Sequence, residues 1–324
     1  MTYSSGGLIQ ATDYNGFVST TAGANVNAVW NSTYGQTALS TVAVTNTVTA
    51  TQWATLNNTI SSMGNHQATT ITSRTNPVAG NTIAVLSNIN SDLTNIYNNR
   101  YNAYASGSQY TGWSGTTNIG AKGPGTWTAT FTHVVNFANN TSFNNFFNSG
   151  GIIKIQFGKT STGAFADAEW NAFIGNGTGN GVVSILYQTG VATSKTIASI
   201  GYTGLLKTGG TGTPTTYATA IGAFALTTSN QILYKQFDVG TGYTANYVQV
   251  QALVDNATPT QITYTTTWVA ADANPGATNL ISGGTAPTGV TFGTAPATIV
   301  SYFPPESVYL TPNWGTPTIS ASVA

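Results

Sequence analysis

The chain has 324 residues, 8 basic and 8 acidic, so its formal charge cancels, and it contains no cysteine. Charged residues make up 5% of it, against about 25% in an ordinary globular domain, and Thr and Asn take their place. This excludes a disulfide framework and thiolate metal sites. It also argues against nucleic-acid binding, which needs many cations to release phosphate counterions. With 40% hydrophobic and 11% aromatic residues, the chain is not disordered either.

No apolar run approaches the roughly 20 residues of a membrane span. Residues 1–10 have neither the basic flank nor the apolar core of a secretory signal. His66 and His133 lie far apart in sequence, which leaves little for a His-based centre, and no cofactor is expected. A neutral surface on a chain with no export signal suits a protein released by lysis, such as a virus-particle component.

Residues 1–106 are expected to be helical. From Thr49 the apolar positions Trp53, Leu56, Ile60 and Met63 recur three and four apart, on one helical face. Thr49–Gln52 matches a capping box, and Gly64 or Asn65 should end the helix. Ile83, Leu86, Asn90, Leu93, Tyr97, Tyr101 and Tyr104 repeat the spacing after a break at 74–77. The polar faces carry Asn, Thr and Ser, which are indifferent helix formers, so packing must hold these helices. Two readings follow. The stripe Trp53, Leu56, Ile60, Met63, Leu86, Leu93, Tyr97 and Tyr101 is either a cap on the chain's own core or an assembly face for other subunits.

Gly, Ser, Thr and Pro in residues 107–125 predict a linker. Beyond it the period becomes two. In 126–137 the residues Trp127, Ala129, Phe131, His133, Val135 and Phe137 fall on one face. A short helix N-capped by Ser142 and stopped by Gly150 should follow, then a strand over 151–157 with Lys154 and Gln156 outward. A further short helix is expected near 167–174. Strands are expected near 181–187, 196–206, 217–226, 231–239, 247–254, 261–270, 307–310 and 316–323. The fold class is mainly β: a helical N-terminal segment, then an antiparallel β-sandwich or jelly-roll-like domain over 126–324. Thr fits such sheets, its branched Cβ on the pleat and its hydroxyl toward water. Lys is scarce, so sheet edges need covering by loops, by twist or by a neighbouring subunit.

Four strings carry a family resemblance. They are Tyr3–Asn15, Tyr34-Gly35-Gln36 with Val48–Trp53, Phe146-Phe147-Asn148-Ser149-Gly150-Gly151 with the strand after it, and Tyr309–Pro317. Together they resemble virion structural proteins of tailed phages, cyanophages especially. Lys154 stands where that family usually has Arg. The resemblance implies a non-enzymatic virion component of a tail, neck or fibre, with copies of itself and other virion proteins as partners.

Chemical signatures are sparse. Asp167 and Glu169, at i,i+2, point apart on a helix and cannot flank one glycosidic bond. Asp238, Asp255, Asp272 and Glu306 are distant in sequence. His66, just past a helix end, should carry a partial positive charge suited to the dipole. His133 alternates with apolar residues and reads as a buried imidazole. Exposed aromatics could stack on neutral host polysaccharide, and Tyr110, Trp113, Trp268, Tyr302 and Trp314 are the candidates. A fibre-tip adhesin and a cell-surface filament subunit therefore stand as alternatives. No metal, nucleic-acid or membrane partner is expected.

Overall fold

In a computed structural model the residues described are 10–20, 23–78, 86–103, 113–118, 126–158, 182–187, 195–197, 200–202, 207–209, 220–224, 226–238, 245–271 and 297–324. The chain divides into two units. One comprises Met1–Ala105, Asn144–Gly150 and Pro305–Trp314; the other comprises Ser106–Phe143, Gly151–Pro304 and Gly315–Ala324. The first unit thus takes in two segments from much later in the chain.

The first unit is helical. It contains α1 (Ala11–Asn15), a π-helical turn (Gly16–Thr20), α2 (Val26–Trp30), α3 (Ala50–His66) and α4 (Leu86–Asn99). The Thr49 capping box forms as expected: Thr49 Oγ1 accepts the Gln52 N–H at 3.2 Å, and the Thr49 N–H donates to Gln52 Oε1 at 2.8 Å. The helix runs past Gly64 to His66. Trp53, Leu56, Ile60 and Met63 are all buried, with Trp53 edge-on to Tyr14 and Phe17. Each such side chain contributes roughly 1.5–3 kcal/mol through burial.

In α4 Leu93 is buried as expected, but Ile89, Asp92 and Ile96 complete the buried stripe in place of Asn90 and Tyr97. Tyr97 is half-buried, and Tyr101 lies beyond the helix end. The spacing through Asn90 and Tyr97 follows a helical period but misses the residues that avoid water best. Sequence reading also missed α1 and α2. The latter is capped by Asn25, whose Oδ1 accepts the Ala28 N–H at 2.8 Å.

The second unit holds most of the strands. Their ranges are β1 (Trp113–Asn118), β2 (Trp127–Asn136), β3 (Ile152–Gly158), β4 (Val182–Tyr187), β5 (Lys195–Ile197), β6 (Ile200–Tyr202), β7 (Lys207–Gly209), β8 (Ala220–Phe224), β9 (Gln231–Phe237), β10 (Tyr247–Val254), β11 (Gln261–Ala270), β12 (Ala297–Phe303) and β13 (Thr318–Val323). A six-stranded sheet has the order β13-β2-β11-β10-β9-β7, a five-stranded sheet β1-β12-β3-β4-β8, and β5 pairs with β6. Pairing is antiparallel except β4 with β8 and β7 with β9.

β10 and β11 alternate strictly between half-buried and buried positions, as the period of two requires. Outer-face threonines pair across strands, Thr265 with Thr132 and Thr267 with Thr130. The inner face carries Phe131, Val250 and Trp268. From it Trp268 donates its Nε1–H to Thr298 Oγ1 of β12 at 3.3 Å, and Phe157 of β3 stacks on Tyr234.

Several expectations need correcting. Residues 113–118, inside the expected linker, form β1 and pair with β12. The 307–310 segment is a series of bends in the first unit, while β12, which was not expected, is a strand. Helix α5 (Asn140–Asn148) is capped by Asn139, whose Oδ1 accepts the Ser142 N–H at 2.8 Å, and not by Ser142. Gly150 ends it with a positive φ of 101°, as the Gly-Gly reading requires. Gln156 is fully buried, not outward. Its neighbours Ile152 and Ile299 are buried as well, so β3 and β12 are covered on both faces and alternation cannot reveal an outer side. The helix expected near 167–174 lies outside the described residues.

Candidate functional site

Parts of two strings that carry the family resemblance, residues 34–36 and 311–313, meet within the first unit. Gly35 sits at φ +67°, where an added Cβ would overlap the Asn145 side chain; only glycine fits both the left-handed backbone and the close approach. Asn313 donates through Nδ2 to the Gly35 carbonyl at 2.7 Å. Gln36 holds the backbone of one residue by both of its polar groups: Nε2 donates to the Thr311 carbonyl, and the Thr311 N–H donates to Oε1, each at 2.9 Å. Two segments about 275 residues apart are joined here by neutral amides, with the Asn145 side chain packed against Gly35.

The same device recurs twice nearby. Asn15 takes the carbonyl and N–H of Val42, both at 2.8 Å. Asn27 takes those of Leu39, both at 2.9 Å. Each primary amide imitates one rung of a β-ladder, so the irregular 36–42 stretch satisfies its polar backbone without a partner strand.

Beneath this junction, Tyr34 and His66 pack edge-to-face at 5.1 Å. The Tyr34 hydroxyl donates to the Arg100 carbonyl and accepts from Gln67 Nε2, each at 2.7 Å. Burial pushes this hydroxyl up strongly, against the smaller lowering effects of Gln67 and Arg100. His66 Nε2 lies 3.0 Å from the Ser149 carbonyl and must donate to it. Burial lowers its pKa to about 4, against the opposing Ser149 hydrogen bond. His66 is therefore neutral at pH 7, and the expected positive end-charge at the helix is corrected: an imidazole without water loses more by desolvation than the dipole returns.

Charges elsewhere are handled sparingly. Arg74 and Asp92 form a buried ion pair, and Asp92 also accepts the Thr72 N–H at 3.0 Å. Arg100 stacks over Tyr97 and Tyr101, Lys154 over Phe303 and Lys235 over Tyr247, at 3.9–4.6 Å. Aromatic faces serve where most proteins use carboxylates.

Cavities open on the first unit between its described residues. A largely apolar groove of about 410 Å³ is lined by Tyr14, Trp30, Leu39, Gln52, Thr55 and Thr59. A polar cleft of about 310 Å³ is lined by Asn57, Asn58, Ser61, Ile71, Arg74 and Asn76. Neither was legible in the sequence, because their walls come from α1, α2, α3 and loops that pair no motif with another.

The stripe proposed as an assembly face is largely internal: Trp53, Leu56, Ile60, Met63 and Leu93 are buried in the chain's own core. Tyr97 and Tyr101 hold Arg100, and the Leu86 side chain lies outside the described residues. Among the candidates for sugar stacking, Trp268 and Trp314 are buried and cannot stack on a glycan. Tyr302 is half-buried. Tyr110 and the Trp113 side chain lie outside the described residues.

Asp255 caps the β10–β11 turn. Burial opposes its ionisation, but bonds from Thr260 and Gln261 prevail and hold its carboxyl below the usual range. Asp238 lies by Asn246, at the other end of β10. About 3.3 Å per residue separates the two by roughly 30 Å, too far to act on one glycosidic bond. Asp167, Glu169 and Asp272 lie outside the described residues, and Glu306 is half-buried in the first unit. Among the described residues no three His, Cys, Asp or Glu cluster to hold a metal ion, and no helix is long and apolar enough to cross a membrane. No protein-family model, curated protein or solved structure matches the chain.

Proposed function

We propose that this is a non-enzymatic structural protein of a tailed-phage virion, of the tail, neck or fibre type, acting as a homo-oligomer beside other virion proteins. The junction of residues 34–36, 145–149 and 311–313 carries the reading. Two of the strings behind the resemblance are tied to each other by the neutral amides of Gln36 and Asn313, the chemistry of a scaffold. In this reading the second unit is a β-sandwich body, supported by the Trp268–Thr298 bond and the Phe157–Tyr234 stack across its two larger sheets.

With the α3 stripe internal, assembly runs through sheet edges. β13 supports this. It is the terminal strand of its sheet, uncharged and exposed at five of its six positions. It lacks the Lys that commonly guards an edge, and β1, which lies beside it, is not paired with it, so a neighbouring copy can add a strand to it. Because both partners are neutral, the contact responds weakly to salt.

The test is sedimentation of the purified chain across concentration and salt, with a Ser320→Lys/Ser322→Lys variant. Oligomers that persist in salt and dissociate in the variant are expected. A monomer at every concentration overturns edge assembly. Mass spectrometry of purified particles tests the location, and the chain's absence from them overturns the virion reading.

A further inference from the structure

We propose that the polar cleft between α3 and the loop at residues 71–76 binds one unit of a neutral saccharide through its hydroxyl groups. The proposal does not depend on the virion reading. The cleft's volume of about 310 Å³ falls at the small end of ligand sites.

Its chemistry is specific. The Arg74 side chain, 8% exposed, lines the cleft and has its other guanidinium nitrogens bound to Asp92 and to the Thr72 carbonyl, while its Nε–H has no partner. Asn57 Oδ1, buried in the same wall, likewise has none. One wall group thus lacks an acceptor and another lacks a donor, each unfavourable until satisfied. A hydroxyl group is both donor and acceptor, so a polyol meets both needs.

An anion does not fit. Arg74 is already neutralised, and the Asp92 carboxylate beside it repels a second negative charge. A cation would find no unpaired carboxylate among the lining residues. Asn58 and Asn76, bonded to each other at 2.9 Å, set a neutral rim. Ile71 offers an apolar surface for the C–H face of a sugar ring.

The experiment is saturation-transfer NMR and calorimetry on the full chain with neutral methyl hexosides and N-acetylhexosamines, and with glucuronate and inorganic phosphate as charged probes. Saturable binding of at least one neutral sugar, with Kd of about 1 mM, is expected, and none of the anions. Ser61→Leu, an exposed helix position whose new side chain fills the cleft, should abolish binding with the melting temperature unchanged. Arg74→Lys keeps a cation for Asp92 but removes the Nε–H, and should weaken binding about tenfold, one hydrogen bond's worth. No saturable neutral-sugar binding, tighter binding of an anion, or binding unaltered in both variants overturns the assignment.

Discussion

The two units solve one problem in opposite ways. Both must satisfy backbone polar groups in a chain with almost no charge. The second unit does so by repetition: β2, β11 and β10 pair along their lengths, and threonines on the outer face keep the pleat wettable. The first unit has helices joined by irregular stretches, and it recruits Asn15, Asn27 and Gln36 to hold the backbone of single residues by both polar groups. A ladder spreads its stability over many equivalent bonds. A clamp concentrates it in one side chain, so the first unit should be the more sensitive to single polar substitutions.

The largest expected effect probes that concentration. Arg74→Met leaves Asp92 buried without its partner and should cost about 3–5 kcal/mol in denaturant unfolding. The double change Arg74→Met/Asp92→Leu should recover most of that loss. If the single variant lost no more than an exposed pair does, the first unit would not rest on its rare charges.

Acid should separate the units next. The pKa of His66 falls from 6.5 in the unfolded chain to about 4 when folded. The unfolded state therefore binds more protons between those values, and stability falls as pH drops through that window. The difference amounts to about 3 kcal/mol, present in full above pH 6.5. Stability flat from pH 7 to 4 that His66→Gln leaves unaltered would contradict a buried neutral imidazole.

The clamp itself is smaller. Gln36→Leu strands both polar groups of Thr311 and should cost about 1–3 kcal/mol, whereas Thr265→Val, on the outer face of β11, should stay within about 0.5 kcal/mol. Equal losses at the two positions would erase the contrast between clamp and ladder. The smallest effect is at Thr49, where Thr49→Ala removes half of the capping box and should cost about 1 kcal/mol, read as a lower melting temperature.

Local rules reached far into this molecule. The period-two runs located β2 with its buried face, and β10 and β11 by their extents, because alternation records a sheet with one dry side. The Thr49–Gln52 spacing gave the start of α3, since a cap involves only residues three apart. Gly150 showed where α5 stops, because few other residues take a positive φ there.

Where both faces are dry, alternation disappears, and Gln156 and the whole of β12 escaped notice for that reason. His66 looked like a helix-end cation because the chain does not display the desolvation that neutralises it. The amide junction was invisible too. Gln36 recognises the backbone of Thr311, which every residue shares, so no side-chain pattern marks the partner. Composition and period thus determined the near-absence of charge and the class of the strongly periodic segments. The tertiary structure alone decided which distant peptides the amides hold, which aromatics lie inside, and where an unmet donor and acceptor share a cleft, since these depend on segments that meet only after folding.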